Sequence, residues 1–145
     1  MAKEYFINKV LATTVVGSYP VVKGGGLKSI FDPLHSAVET AVADQITAGI
    51  DIISDGQVRG DMIGTFTAKL PGIREQQVIG KVQPADGPIT VADTKYAVSK
   101  SPKVKGIITG PSTLAHSLHI STPMYRNKEE LALDLAAAPD PGTTG

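Results

Sequence analysis

Apolar and polar positions alternate along this chain in three similar cycles. Val10 to Val16 is an apolar, β-branched run that breaks at Gly17-Ser18-Tyr19-Pro20, the pattern of a buried strand feeding a loop. Asp32-Pro33 then predicts a helix start, with Asp32 as N-cap and Pro33 in the first helical position. Val38, Ala41, Val42, Gln45, Ile46 and Gly49 follow at helical spacing, with Glu39 and Asp44 off the stripe. Ile50 to Ser54 predicts a second short strand ending in the polar loop Asp55-Gly56-Gln57. Met62 to Leu70 reads as a short helix, Gln77 to Val82 as an edge strand, and Val91 to Lys100 as a helix. Val104 to Ile108 predicts a third buried strand, released at Thr109-Gly110-Pro111-Ser112, and Glu129 to Ala138 a last helix. The tail at 139–145, rich in Pro and Gly, is expected to be disordered.

Strand, polar loop and helix in repetition describe a parallel α/β architecture, with strands apolar on both faces. The expected fold is a partial (β/α)8 barrel of three to four β/α units, since a full barrel takes about 250 residues and this chain has 145. Residues 1–120 are assigned to the barrel portion, 121–138 to a helical segment and 139–145 to the tail. In such folds chemistry gathers in the loops leaving the strand C-termini. Here those are Gly17-Ser18, Asp55-Gly56-Gln57 and Thr109-Gly110-Pro111.

Composition narrows the function. Lys+Arg and Asp+Glu both total 14, so no basic surface is expected to track a polyphosphate, and nucleic acid is not an expected partner. The absence of Cys excludes disulfides and thiolate metal sites within this polypeptide. No apolar run approaches the ~20 residues of a membrane span, and the first five residues do not resemble a signal peptide, so a cytoplasmic protein without a membrane partner is expected.

Individual motifs are ambiguous. Gly24-Gly25-Gly26-Leu27-Lys28-Ser29 has Leu27 where a phosphate-binding loop needs Gly, and reads as a flexible surface loop. His116 and His119, three apart, have a spacing that metal ligands use, but no third ligand is adjacent, and surface or partly buried histidines are the expectation. His35 carries no signal. Asp51, Asp55, Arg59 and Asp61 read either as a solvated salt-bridged loop or, through Asp55 and Gln57, as polar groups at a barrel mouth. Gly17-Ser18 offers backbone N–H groups and a hydroxyl, equally a carboxylate cradle or a turn.

In combination the motifs resemble a known family. Thr14-Val15-Val16-Gly17-Ser18-Tyr19-Pro20 is similar to the first-strand motif of the catalytic domain of cobalamin-independent methionine synthase. Asp55-Gly56-Gln57 with Arg59-Gly60-Asp61-Met62 resembles that family's His-Gly-Glu loop and its Arg-Asn-Asp-Met continuation. Pro88-Ile89-Thr90-Val91, Lys95-Tyr96-Ala97 and Val104 to Thr113 follow in the same order, so the likeness spans roughly residues 13–114.

The resemblance implies a (β/α)8 barrel that transfers a methyl group to the thiol of homocysteine, with zinc holding the sulfur as thiolate. It implies that Val16, Gly17 and Ser18 contact homocysteine, and that Gln57 stands where the family's Glu binds the amino group. The family's zinc ligands lie in later strands and are absent here. Gln57 in place of Glu gives a neutral contact, as in the short archaeal relatives. Ser117 stands where folate users carry a stacking Trp, and the loop near Gln77 is shorter, so a corrinoid-bound methyl group is the expected donor ahead of methyltetrahydrofolate. The chain is expected to be the N-terminal portion of such an enzyme and inactive alone. Expected partners are homocysteine, a corrinoid methyl-donor protein and a second chain completing the barrel. Two other readings stand beside this one: a non-catalytic barrel fragment that needs a partner chain, and a lyase on the same barrel. Lys105, ahead of its strand's apolar core, gives the lyase little support.

Overall fold

The β-branched runs at Thr14, Ile52-Ile53 and Val104 meet side by side. In a computed structural model, which describes residues 11–22 and 26–138, Thr14 bridges Ile52 and Ile53 bridges Val104, both in parallel. Each run contributes one or two paired positions rather than a ladder, so the three strands read from the sequence are shorter than expected. The expected tail at 139–145 lies outside the described residues, as do the first glycines of the Gly24-Gly25-Gly26 run.

The described chain is mixed α/β. Helix α1 (Lys28–Phe31) is followed by α2 (His35–Thr47) and α3 (Gly64–Thr67). Strands β1 (Ile73–Arg74) and β2 (Gln77–Val78) precede α4 (Val91–Lys100). Helix α5 (Pro111–Ser117), strand β3 (His119–Ile120) and helix α6 (Lys128–Ala137) complete the order. Strand β2 pairs antiparallel with β1 and parallel with β3, giving the sheet order β1-β2-β3. The edge strand expected at Gln77 is therefore the middle one. Its second neighbour comes from a distant segment, a pairing that local pattern does not encode.

Helix α2 starts later than Asp32-Pro33 predicts. Asp32 closes a turn instead: its Oδ1 accepts from Leu34 N at 3.2 Å and its carbonyl from His35 N at 3.1 Å. Leu34 is the N-cap and makes no side-chain cap bond. Helix α6 is conventionally capped, with Asn127 Oδ1 accepting from Glu130 N and Glu130 Oε2 accepting from Arg126 N, both at 2.9 Å.

Two units divide the described residues. The first takes its residues from Met1–Val58 and Asp93–Gly106, the second from Arg59–Ala92 and Ile107–Gly145. The first unit's core is built from Ala37, Val38, Ala41, Val42, Ile53, Val58 and Ala97, where α2 and α4 cover the paired runs. The second unit's core is larger and bulkier, centred on Phe66, Leu70, Leu114, Leu118, Tyr125, Leu131 and Leu135. There Tyr125 accepts a hydrogen bond from Val82 N at 2.9 Å and donates one to Asp134 at 2.7 Å, and Lys81 lies 3.0 Å from the same carboxylate. No helix among the described residues is long and apolar enough to cross a membrane.

Candidate functional site

Gly17-Ser18 and Gly56-Gln57 share one backbone feature. Gly17 has φ 136°, Ser18 φ 55°, Gly56 φ 87° and Gln57 φ 50°, so each loop has two successive residues at positive φ. For Ser18 and Gln57 this is a disfavoured conformation, one that persists where surrounding contacts over-determine it and that clusters at functional sites. The loops are tied together, because Tyr19 N–H donates to the Gly56 carbonyl at 2.8 Å. The turn is fixed further by Gly56 N donating to Ser54 Oγ at 3.1 Å and Gln57 N donating to Asp55 Oδ1 at 2.8 Å.

Gly56 is obligatory for two reasons. A Cβ there would lie 2.5 Å from the Ala41 Cβ and 3.3 Å from the Tyr19 Cβ, and the residue's φ is one that side chains resist. The close approach lets the second loop sit directly on α2.

The Gln57 side chain completes the arrangement. Its Nε2 is buried and has no hydrogen-bond partner. An unpaired buried donor costs on the order of 1–3 kcal/mol, and a ligand acceptor such as a carboxylate oxygen would recover that loss. Ser18 is exposed, Gly17 is half-buried, and Val16, 83% exposed, stands at the end of the first apolar run. Gly17, Ser18 and Gln57 thus belong to two hydrogen-bonded loops, with Val16 leading into the first.

The supporting residues were not singled out in the sequence. Tyr19 hydrogen-bonds Asp44 on α2, a contact that raises the pKa of the Tyr19 hydroxyl. Gln45, the next residue, is 3% exposed and bonds the backbone of Ser54. A signal was present: a long polar side chain within the apolar stripe of a helix needs buried partners.

Two carboxylates of the charged loop bond backbone groups. Asp51 ties two apolar runs, its Oδ2 accepting from both Thr13 N and Thr13 Oγ1 at 2.9 Å. Asp61 accepts from Ile63 N at 2.8 Å and Gly64 N at 2.7 Å at the start of α3. The Gly64 N–H first, then that of Ile63, holds the Asp61 carboxyl below its usual range. Thr109, in the third predicted loop, donates from its hydroxyl to the Met62 carbonyl at 2.6 Å within the second unit.

His116 and His119 do not share a helical face. Helix α5 ends at Ser117, leaving His119 in β3, while His116 Nδ1 is 2.8 Å from the Ser112 carbonyl. Among the described residues no group of three or more His, Asp or Glu side chains is placed to hold a metal. With no Cys in the chain, these donors do not fit the zinc that the resemblance implies.

The family model for the catalytic domain of cobalamin-independent synthase matches residues 11–140, and the chain belongs to that family. The methionine synthase of Methanocaldococcus jannaschii is 44% identical to it over 143 residues, covering 88% of this chain and 46% of that protein. The methionine synthase of Methanothermobacter marburgensis is 39% identical over 150 residues, covering 88% and 48%. The B12-independent methionine synthase from Shewanella sp. W3-18-1, solved in complex with selenomethionine, superposes with a TM-score of 0.75 at 25% identity. That superposition covers 88% of this chain and 46% of the other. The chain spans about half the length of the curated relatives it matches.

Proposed function

We propose that this chain carries the amino-acid-binding edge of a methyltransferase that methylates the thiol of homocysteine to give methionine. The observation that carries the reading is the tied pair of positive-φ loops, the second of which carries Gln57. In this reading the backbone N–H groups at Gly17 and Ser18, with the Ser18 hydroxyl, bind the homocysteine carboxylate. Gln57 binds the amino group through its amide oxygen, and Val16 borders the same ligand. Family membership and relatives named methionine synthase support the substrate.

The fold that suits this role is the early part of a (β/α)8 barrel. The parallel pairing of Thr14 with Ile52 and of Ile53 with Val104 supports it by setting the three runs in chain order. Residues 121–138, including α6, then form a helical extension.

What this chain's residues do is bind and orient. A bound zinc supplies thiolate activation in such chemistry, but the donors here do not fit one, and that part of the reaction belongs to polypeptide outside these residues. A later segment or a second chain would supply it, and a cytoplasmic location suits the pathway. Ser117 offers no aromatic face, and its hydroxyl donates to the Thr113 carbonyl at 2.9 Å. This favours a corrinoid-bound methyl donor, on a carrier protein, over folate. The missing metal donors also favour a second reading, a binding module that is not catalytic without its partner.

Titration with homocysteine, followed by backbone amide shifts, tests the binding role that both readings share. Shifts centred on Gly17, Ser18, Gly56 and Gln57 are expected. Shifts confined to the second unit would remove the site.

A further inference from the structure

We propose that Gln45 is a positioning residue that holds the Gly56-Gln57 turn in its binding geometry by acting as a surrogate strand neighbour for Ser54. The functional meaning of this brace rests on reading Gln57 as a substrate contact. Gln45 lies among the apolar residues of α2 and uses both ends of its amide. Its Oε1 accepts from Ser54 N at 2.9 Å, and its Nε2 donates to the Ser54 carbonyl at 3.0 Å and the Ala41 carbonyl at 2.9 Å. The first two contacts reproduce the paired N–H and C=O bonds of one rung in a β-ladder. Ser54, fully buried, has therefore been given by a helix what an adjacent strand would supply.

From Ser54 the restraint passes along hydrogen bonds to the site. The Ser54 hydroxyl accepts from Gly56 N at 3.1 Å, and the Gly56 carbonyl accepts from Tyr19 N at 2.8 Å. Asp44, next to Gln45, takes the Tyr19 hydroxyl. Two consecutive residues of one helix thus hold the two loops, Asp44 the first and Gln45 the second. An apolar side chain at Gln45 would bury more cheaply. The amide is explained by the positive-φ turn it stabilises.

The test uses the whole chain with Gln45→Met and Gln45→Glu. Methionine keeps the length and removes the hydrogen bonds. A neutral carboxyl keeps an acceptor for Ser54 N and a donor for its carbonyl, whereas an ionised one has no donor. Amide hydrogen exchange reads the brace without any ligand. Gln45→Met is expected to speed exchange at Ser54, Gly56 and Tyr19 at least about tenfold relative to Leu131 in the other unit, a change of about 1.4 kcal/mol in local opening. Gln45→Glu is expected to protect those amides at low pH and to release them as the introduced carboxyl ionises. Asp44, Tyr19 and Asp55 are ionisable groups close to this position in every variant, so the step is read as the difference from wild type.

Exchange that rises uniformly, tracking global stability, or a Gln45→Glu profile parallel to wild type would overturn the proposal. If Gln45→Met does not fold, the Gln45→Glu profile decides alone. Homocysteine affinity, measured on the same samples, is expected to fall about tenfold with the brace. Loosened amides in a protein whose wild type ignores homocysteine would support the brace and reject the substrate reading.

Discussion

The two units solve the problem of holding backbone in place by different means. The second packs large side chains, with Leu131 and Leu118 essentially inaccessible and Phe66, Leu114 and Leu135 around them. The first has alanines and valines in its core and adds a buried amide, a hydroxyl and carboxylates that bond specific backbone groups. Dispersion and burial are non-directional and tolerate small shifts, whereas a hydrogen bond fixes distance and angle. In the first unit the Gly17-Ser18 and Gly56-Gln57 loops are set by such directional bonds, whereas the second unit's Tyr125–Asp134 contacts sit within a core of large side chains. Stability and loop geometry should therefore be separable by mutation.

Leu131→Ala should give the largest loss of stability, about 4 kcal/mol, through lost burial and the cavity left behind. Denaturant unfolding checks it, and exchange at Ser54 and Gly56 should rise only as far as global unfolding requires. Gly56→Ala comes next, at about 3 kcal/mol, from a disfavoured φ together with contact against Ala41. This substitution should also abolish homocysteine binding in the folded fraction, which Leu131→Ala should not do. Equal effects of both on binding would erase the distinction between the units.

A smaller, pH-dependent effect sharpens the comparison on the second unit's side. The Tyr125 hydroxyl first, and then Lys81, holds the Asp134 carboxyl below its usual range. Its folded pKa is thus below the unfolded value of about 3.9. The stabilisation is fully present above the unfolded value and is lost as pH falls through the folded one. Asp134→Asn should flatten that part of the acid limb, seen as a melting temperature less sensitive to pH below about 4. An unchanged acid limb would show that the contact adds nothing to stability.

Helices were legible where periodicity was strong. Val91 to Lys100 is α4 with the same bounds, and the stripe through Val38, Ala41, Val42 and Gln45 is the buried face of α2. Ile46, read on that stripe, is exposed. Apolar runs located the three paired segments but overstated their length: Ile108 and Val16 are largely exposed, and pairing stops at Thr14 and Val104. A run of β-branched residues reports what it wants to bury, not whether a neighbour is in register with it. The loops at Gly17-Ser18 and Gly56-Gln57 were legible as strand ends and by family resemblance. Their connection through Tyr19, and the roles of Asp44 and Gln45, were not, because those bonds join residues 25 and 9 positions apart through the fold.

The account turns on Gln57, and calorimetry of Gln57→Glu against wild type tests it most directly. A carboxylate in place of the amide would make a charge-assisted contact to the homocysteine ammonium, worth about 1.5–3 kcal/mol against roughly 0.5–1.5 for a neutral one. Homocysteine should bind on the order of tenfold more tightly to Gln57→Glu, while a desamino analogue should gain nothing. Equal homocysteine affinities for the two proteins would contradict the assignment of Gln57 to the substrate.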